Sequence, residues 1–351
     1  MPSKVLVNLT CKGKNLSDEK EILSSNIFEF YSKKNVLITG GTGLIGREVS
    51  KLLVSQQAKV TTVSLDRVNP VSGTNHIIGD LTDINFCLDI TKGQDYVFHL
   101  AGIKGSIEVT KSKPASFLVP MLMFNTNVLE AARRNKVRKL VYTSSIGAYP
   151  SAELFIETMG ESGDPMDTYP GWAKRMAELQ IRAYFEEYGL EWSVVRPCNV
   201  YGPGDNFDPS NAMVIPSLMM RISEGENPLK VWGDGTAVRD FAFSRDVALG
   251  TIQALMHGTR GSFVNLGSGV GYTIRELLET LQKVVPFSYE FDTSKSGGFP
   301  RRVMDIERAK KWLGYEPKTS LMEGLSETWA WFLSNKEEYL LKKNYFKELK
   351  S

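Results

Sequence analysis

The sequence has few of the residues that build disulfide scaffolds or metal centres. Its 351 residues include only three histidines and three cysteines, and the cysteines (Cys11, Cys87 and Cys198) are odd in number and far apart. This spacing argues against a disulfide framework and a cysteine-based metal site, and it suits a reducing, cytoplasmic compartment. Because the histidines form no cluster, metal catalysis has no support either.

Long apolar runs and an excess of one charge are also missing. No apolar stretch reaches the ~18 residues that a membrane span requires. The early lysines (Lys4, Lys12 and Lys14) accompany no apolar signal core, so we expect no secretion. The net charge is only +2, which gives no electrostatic reason to expect binding to nucleic acid or to an anionic membrane.

The most informative motif that is present is a glycine-rich turn. A β-branched and aliphatic run at 36–39 is followed by Gly40, Gly43 and Gly46, and a helical pattern then begins. In this context the first glycine permits a tight turn, the second lets the backbone approach a pyrophosphate, and the third lets the helix pack against the strand. The helix N-terminus favours the anionic phosphates. The predicted dinucleotide contacts of this turn are Gly40, Thr42, Gly43, Leu44, Ile45 and Gly46.

An acidic residue completes the dinucleotide motif. The strand predicted at 59–64 leads to Asp66, twenty residues after Gly46. A carboxylate there can bind the adenosine ribose diol and repel a 2′-phosphate, which favours NAD as the cofactor. Arg67 follows and can favour NADP instead, so both residues are candidate cofactor contacts.

Strands and helices alternate from 35 to about 200, which predicts an α/β fold with a Rossmann-like, doubly wound parallel sheet. We expect an N-terminal extension over 1–34 with a capped helix at 17–23, and a smaller C-terminal substrate-binding lobe with terminal helices over 201–351. Some of the later segments are expected to contribute to the nucleotide-binding domain of 35–200. The predicted strands are 36–39, 59–64, 95–100, 139–143 and 192–196, and the predicted helices 44–55, 116–135 and 171–188. Shorter elements are predicted at 211–223, 273–284, 305–313 and 320–334.

Two further strand ends supply candidate site residues. Small residues after the strand at 95–100 let the backbone pass beneath the cofactor phosphates, and Asp80 with Leu81 is placed to reach the adenine. The carboxyl end of strand 139–143 opens the crevice in which a doubly wound sheet holds its substrate. Ser145 lies there and can bind a sugar hydroxyl or carbonyl. The contacts predicted after 95–100 are Leu100, Ala101 and Gly102.

A tyrosine near a lysine, here Tyr169 and Lys174, is an acid/base device for nicotinamide chemistry. The ammonium lowers the pKa of the phenol, so a phenolate can take a hydroxyl proton as hydride leaves. The sequence therefore predicts Ser145, Tyr169 and Lys174 as catalytic residues.

At these residues the chain resembles the extended short-chain dehydrogenase/reductase family of nucleotide-sugar epimerases, dehydratases and reductases. Over about 36–335 it is most similar to the GDP-fucose synthase group of GDP-sugar enzymes. The segments that carry this similarity are 102–106, 199–209, 214–216, 232–241 and 292–301. The resemblance implies that Arg239 and Arg301 clamp the nucleotide diphosphate, for which paired guanidiniums are suited. It implies further cofactor contacts at Thr143, Lys174, Pro197, Asn199 and Val200, and substrate contacts at Lys104, Ser145, Ile146, Asn199, Val214 and Trp232.

Three departures from the family pattern bear on the reaction. The family places three residues between its tyrosine and lysine, whereas four separate Tyr169 from Lys174, and Pro170 takes the usual tyrosine position. We expect Pro170 at the first helical position with Tyr169 just before the helix, free to swing in; water or Ser145 is the alternative proton carrier. The cysteine and histidine that epimerise at C3 and C5 are replaced by Gly147 and Met213. The Asp-Glu pair of dehydratases is replaced by residues 146–147.

Hydride exchange at C4 of a GDP-hexose or GDP-heptose remains, and three outcomes are open. Because Asp66 favours NAD, we predict an NAD-dependent 4-epimerase or 4-dehydrogenase, and the alternative is an NADPH-dependent GDP-4-keto-sugar reductase without epimerisation at C3 or C5. A non-catalytic nucleotide-sugar-binding protein is the alternative from another class. The resemblance also implies a homodimer built on the helices near 116–135 and 171–188. The expected apolar contacts are Met121, Leu122, Val128, Leu129, Met176, Leu179 and Tyr184.

Overall fold

The structure is a computed structural model that describes residues 26–65, 70–103, 105, 107–159, 162–208 and 211–339. The helix predicted at 17–23 lies outside the described residues, as do three of the predicted site residues, Asp66, Arg67 and Lys104.

Seven strands form one parallel sheet in the order β11-β7-β5-β4-β1-β2-β3. The order reverses between β1 and β4, which creates the switch point at which doubly wound sheets bind nucleotides. The strands are β1 (Asn35–Thr39), β2 (Lys59–Ser64), β3 (Asn75–Ile78), β4 (Tyr96–His99), β5 (Lys139–Thr143), β7 (Ser193–Pro197) and β11 (Phe263–Leu266). The predicted Rossmann-like α/β fold is therefore confirmed, with β11 as a late strand at one edge.

Helices cover this sheet in two groups, one in which α3, α5 and α6 pack together and one in which α2, α8 and α10 do. The sheet and these helices share one apolar core. The helices before β7 are α1 (26–31), α2 (Leu44–Ser55), α3 (Ile84–Thr91), α4 (Ile107–Ser112), α5 (Pro114–Arg134) and α6 (Thr168–Tyr188). The later ones are α7 (Val214–Ser223), α8 (Ser244–His257), α9 (Ile274–Gln282), α10 (Glu307–Leu313) and α11 (Leu321–Tyr339).

Smaller sheets and a second apolar core are formed mainly by residues that follow β7. In one sheet β10 pairs antiparallel with β12 and parallel with β14 and β8, and β14 also pairs with β6. A second core gathers side chains of α7, α9, α11 and these strands. The strands are β6 (Leu154–Phe155), β8 (Asn199–Tyr201), β9 (Leu229–Trp232), β10 (Val238–Phe243), β12 (Gly271–Thr273), β13 (Tyr289–Asp292) and β14 (Arg301–Met304), with β9 and β13 paired separately.

The apolar residues predicted to contact a second subunit from α5 face inward instead. Met121, Val128 and Leu129 are fully buried in the core, and Leu122 packs against it. These side chains therefore support the sheet, which corrects the prediction for them.

Two residues of the predicted set, Met176 and Leu179, are exposed together with other apolar residues of the same two helices. Val119 and Met123 of α5 and Trp172, Met176 and Leu179 of α6 are each 40–50% accessible. The helical spacing places each set along one face of its helix, and α5 packs against α6. The tyrosine of the predicted set is used within the chain, because the Tyr184 hydroxyl donates to Glu130 Oε2 at 3.0 Å.

Candidate active site

The glycine turn joins β1 to α2 as the sequence predicts. Gly40 has a φ of +70°, and a Cβ there would lie 2.9 Å from the amide nitrogen of Ala101. A Cβ on Gly46 would lie 2.1 Å from the carbonyl oxygen of Gly40. Only glycine therefore permits both the turn and the close approach of α2 to it.

The start of α2 suits a phosphate group. Gly43 is the N-cap in an extended conformation, and no side chain caps the first turn. The amides of that turn can therefore donate to an anion, and a glycine N-cap keeps the approach open. Thr42 is buried beside this end, while Leu44 and Ile45 begin the helix. The residues present thus fit the diphosphate of a dinucleotide.

The other predicted adenine-side residues adopt local roles. Asp80 Oδ1 accepts a hydrogen bond from the Thr82 amide at 2.9 Å, which fixes the turn after β3. Leu81 is buried beneath that turn.

A buried hydrogen-bond chain, which sequence reasoning missed, holds the loop after β4. The Ala101 amide donates to Thr39 Oγ1 at 3.2 Å, and Thr39 Oγ1 lies 2.8 Å from His99 Nδ1. His99 Nε2 lies 3.0 Å from Asn125 Oδ1 on α5. Burial lowers the pKa of His99 to about 3, so the ring is neutral and serves to position the loop. Leu100 also belongs to this loop, its amide donating to the Thr39 carbonyl at 3.3 Å.

Lys174 lies beneath the end of β5. Its Nζ donates to the carbonyl oxygen of Thr143 at 2.6 Å and lies 4.9 Å from the ring centroid of Tyr142. A Cβ on Gly102 would lie 3.6 Å from the same nitrogen, so the loop after β4 meets the lysine here. Burial lowers the pKa of Lys174 to about 8. Thr143 Oγ1 is buried without a hydrogen-bond partner in the described part of the chain, as a group that contacts a ligand would be.

Ser145 begins the short turn that follows β5. Its Oγ accepts a hydrogen bond from the Gly147 amide at 3.1 Å within a 3-10 turn over Ile146–Ala148. Ile146 is buried. The serine therefore stands at the carboxyl end of the central sheet, where the prediction places a substrate contact.

The start of α6 differs from the prediction. The helix begins at Thr168, so Tyr169 and Pro170 are its second and third residues; the expectation of a non-helical Tyr169 before a first-position proline is wrong. Proline is tolerated because the first-turn amides have no intrahelical partner. Five residues along one helix turn about 500°, which separates Tyr169 from Lys174 by about 140°. Accordingly Tyr169 is 40% accessible while Lys174 is buried.

Two arginines lie side by side across β10 and β14. Arg239 and Arg302 are register partners in the parallel pair, whereas Arg301 pairs with Val238. Because side chains alternate along a strand, Arg301 points to the opposite face from Arg302. Arg301 is exposed, so Arg302, not Arg301, lies beside Arg239 in the structure, and the clamp of Arg239 with Arg301 stays a prediction.

The Arg239 guanidinium donates to the backbone carbonyls of Val238, Gly297 and Phe299, and neither arginine makes a close ion pair within the described residues. Burial and the charge of Arg302 together lower the pKa of Arg239 to about 10, and burial also lowers the pKa of Arg302. Arg302 Nε is buried without a hydrogen-bond partner in the described residues, and its Nη1 lies 4.0 Å from a carboxylate oxygen of Asp167. Such a pair is suited to a bidentate dianion such as a diphosphate.

Asp167, which sequence reasoning did not single out, links these arginines to Ser145. It is the N-cap residue of α6, but its side chain makes no capping hydrogen bond. A Cβ on Gly147 would lie 2.3 Å from Asp167 Oδ2, so the carboxylate packs directly on the glycine beside Ser145. Lost hydration raises the pKa of Asp167, and the Arg302 charge opposes that rise.

The remaining predicted contacts lie on strands and helices that follow β5 in the chain. Asn199 Nδ2 donates to the carbonyl oxygen of Asp240 at 2.9 Å, which joins β8 to β10. Pro197 ends β7, Val200 is half-buried in β8, and Val214 begins α7. Trp232 is 63% accessible at the end of β9, as a residue that stacks on a ligand can be.

The described residues form neither a metal site nor a membrane-spanning helix. Within the described residues, no group of three or more His, Cys, Asp and Glu side chains is placed to hold a metal ion. No helix in that part of the chain is long and apolar enough to cross a membrane.

Comparison with known proteins gives consistent matches. The profile described as "NAD dependent epimerase/dehydratase family" matches residues 36–267. The GDP-L-fucose synthase of Escherichia coli (strain K12) is 33% identical over 333 residues, which cover 88% of this chain and 99% of that protein.

Solved structures agree with this fold. The UDP-glucose 4-epimerase of Thermotoga maritima with UDP-glucose has a TM-score of 0.75 at 29% identity, covering 86% of this chain and 99% of its own. A GDP-L-fucose synthetase from Naegleria fowleri bound to NADP has a TM-score of 0.76 at 25% identity, covering 87% and 94%. A nicotinamide dinucleotide is thus the cofactor class. The predicted resemblance is confirmed: this chain belongs to the NAD dependent epimerase/dehydratase family, as an enzyme of the extended short-chain dehydrogenase/reductase type.

Proposed function

We propose that the chain is an NADPH-dependent reductase that converts the C4 carbonyl of a GDP-4-keto-sugar to an alcohol, without epimerisation at C3 or C5. The GDP-sugar class is supported by 33% identity to a GDP-L-fucose synthase, and the choice of NADPH by the likeness to a related synthetase bound to NADP. This reading corresponds to an alternative that the sequence left open, and it is preferred here to the NAD-dependent reaction.

One observation carries the proposal: contacts through Asp167 connect Arg302 of the arginine pair to the residues at the end of β5. Arg302 lies 4.0 Å from Asp167, and Asp167 packs on Gly147 beside Ser145. A diphosphate held by Arg239 and Arg302 would therefore direct the attached sugar toward Ser145. Such positioning is a large part of catalysis because it replaces a bimolecular encounter with an oriented one.

The cofactor, when bound, would supply hydride to the sugar carbon. The glycine turn of 40–46 would hold its diphosphate, and Lys174 would hold the nicotinamide ribose from beneath. Ser145 would donate a hydrogen bond to the sugar carbonyl oxygen and polarise it. Gly147 and Met213 carry no group that can exchange a carbon-bound proton, which is why C3 and C5 are expected to keep their configuration.

The test is consumption of NADPH in the presence of a GDP-4-keto-hexose, followed at 340 nm, with NADH in a parallel reaction. Product NMR after turnover in D2O should show no solvent deuterium at C3 or C5. Deuterium at either carbon would contradict the absence of epimerisation. Failure to oxidise NADPH with any GDP-4-keto-hexose would contradict the reductase.

A 4-epimerase that keeps NAD bound is the second candidate. It is favoured by the acidic Asp66 predicted after β2 and by the similarity to a UDP-glucose 4-epimerase. Tightly co-purifying NAD, with interconversion of GDP-hexoses that differ at C4 and no net change at 340 nm, would support it over the reductase.

We also propose that two chains associate through the exposed face of α5 and α6. Val119, Met123, Trp172, Met176 and Leu179 together present an apolar surface of the kind that helices bury against a symmetry mate. Four helices, two from each chain, would then cover it.

A further inference from the structure

The carboxylate of Asp167 is oriented in an unusual way for its position. An N-cap aspartate ordinarily accepts hydrogen bonds from the first-turn amides, and Asp83 does so at the start of α3. Asp167 makes no such bond at the start of α6. Its side chain is instead turned onto Gly147 and is 43% accessible, so part of the carboxylate faces solvent.

Backbone contacts fix this orientation. The Asp167 amide donates to the Gly147 carbonyl at 3.3 Å, and the Gly171 amide donates to the Asp167 carbonyl at 2.6 Å. The Gly147 amide in turn donates to Ser145 Oγ at 3.1 Å. Ser145, Gly147 and Asp167 therefore form one continuous unit at the end of β5.

We propose that Asp167 is the acid/base residue of this site, moving the proton at the sugar oxygen that Ser145 contacts. This inference rests on the proposed reduction at C4. As the carbonyl carbon gains hydride from the nicotinamide, its oxygen gains a proton from the protonated carboxyl, which becomes a carboxylate. Solvent then returns the proton to Asp167, so the charges and atoms balance. In the oxidation direction the carboxylate takes the hydroxyl proton.

The other titratable groups near Ser145 are less suitable. Lys174 Nζ is engaged by the Thr143 carbonyl and lies against the Tyr142 ring. Tyr169 lies about 140° around α6 from Lys174, so the two side chains leave the helix in different directions. Pro170, which shares the face of Lys174, has no proton to give.

The electrostatic surroundings of Asp167 are consistent with an acid. Lost hydration raises its pKa, which favours the protonated form needed for donation. Among the described residues, Arg302 on β14 is the charged group that acts on the carboxyl, and it lowers the pKa of Asp167. A diphosphate on the two arginines would weaken that lowering effect, so the carboxyl would stay protonated to a higher pH.

The test compares Asp167→Asn with the wild type in NADPH-dependent reduction of a GDP-4-keto-hexose. We expect kcat of Asp167→Asn to be lower than that of wild type by about 10²–10⁴-fold, the range for loss of a positioned acid. The decrease in rate that wild type shows as pH rises should be absent in this variant.

Gly147→Ala is a second variant: its methyl group would lie 2.3 Å from Oδ2 and displace the carboxylate. Asp95→Asn is the matched control, since Asp95 pairs with Arg138 at the opposite end of the strands. NADPH binding, followed by fluorescence, should persist in all three variants.

A binding measurement gives a readout that does not depend on turnover. For wild type, the ratio of GDP-mannose affinity to GDP affinity should decrease about tenfold as pH falls through the Asp167 pKa. The reason is that a carboxylate accepts a hydrogen bond from a sugar hydroxyl well, whereas a protonated carboxyl is a poor acceptor. In Asp167→Asn the ratio should not vary with pH. If Asp167 only positions Arg302, its loss would instead weaken GDP and GDP-mannose equally.

The outcomes separate the two proposals. If wild type reduces the substrate and Asp167→Asn keeps a near-normal kcat, the proposed role of Asp167 is wrong and the reductase proposal remains supported. If turnover is lost only in Tyr169→Phe, the proton transfer is assigned to Tyr169. If wild type reduces no GDP-4-keto-hexose, the reductase fails, and the affinity ratio still decides whether Asp167 contacts the sugar.

Discussion

Replacing Arg302 by methionine tests the arginine pair most directly, because its neighbour Arg301 provides a control on the same strand. Methionine keeps an apolar stem over Phe299, whose ring centroid lies 3.9 Å from the Arg302 guanidinium carbon, and removes only the charge and its donors. A charge-assisted hydrogen bond contributes about 1.5–3 kcal/mol. Loss of such a bond corresponds to a weakening of GDP binding by about 10- to 100-fold.

The ligand-free protein should respond differently. Burial and the charge of Arg302 lower the pKa of Arg239 to about 10, so removing Arg302 relieves a repulsion between two buried cations. The carboxylate of Asp167 loses a favourable partner at 4.0 Å, which offsets part of that gain. We therefore expect the melting temperature without ligand to change by less than about 3 °C, the shift that ~1 kcal/mol produces in a domain of this size.

The assay is calorimetric titration of GDP into wild type, Arg302→Met and Arg301→Met at low and at physiological salt. Arg301→Met should bind GDP within about threefold of wild type, since its side chain lies on the opposite face of β14. Weaker binding by Arg301→Met than by Arg302→Met would refute the register argument. Equal binding by all three would refute the diphosphate site itself.

Three further measurements address other parts of the structure. Gly46→Ala places a Cβ 2.1 Å from the Gly40 carbonyl oxygen, so it should destabilise the protein by about 1–3 kcal/mol and sharply weaken NADPH binding. An unchanged affinity for NADPH would contradict the role of the turn. The folded-state pKa of Lys174, about 8, lies below its ordinary value of 10.5, so between these values the unfolded chain binds more protons. Stability of wild type relative to Lys174→Met should therefore rise with pH across that window, and chemical denaturation that shows a constant difference would contradict it. Met176→Lys should shift the sedimentation profile from dimer toward monomer, whereas the same change at exposed Leu333 on α11 should not; a monomeric wild type would remove the proposed association.

The glycine turn and the parallel sheet could be predicted because their signals are local in the sequence. Gly40, Gly43 and Gly46 carry fixed spacings that a strand–turn–helix requires, and β–α alternation specifies a parallel sheet whatever the later packing. The strand ends that supply Thr143 and Ser145 follow from the same alternation.

Residues whose roles depend on register or on a distant partner could not be predicted in this way. Arg301 and Arg302 are adjacent in the sequence, and only the pairing of β14 with β10 determines which one meets Arg239. A shift of one residue would exchange them. Likewise the His99–Asn125 contact joins a strand to a helix that follows much later, and no spacing rule connects them.

The start of α6 shows that two departures from the family pattern are parts of one packing arrangement. Gly171 would place a Cβ 2.6 Å from the Gly147 carbonyl oxygen, so the first turn of α6 lies backbone to backbone against the turn after β5. This close approach presses Asp167 onto Gly147 and fills the space that a side chain at 147 would need. The same first turn places Pro170, not a tyrosine, on the face of Lys174. A side chain at 147 and a carboxylate at 167 therefore exclude each other in this arrangement, and a change at either residue alters the acid/base group at the end of β5.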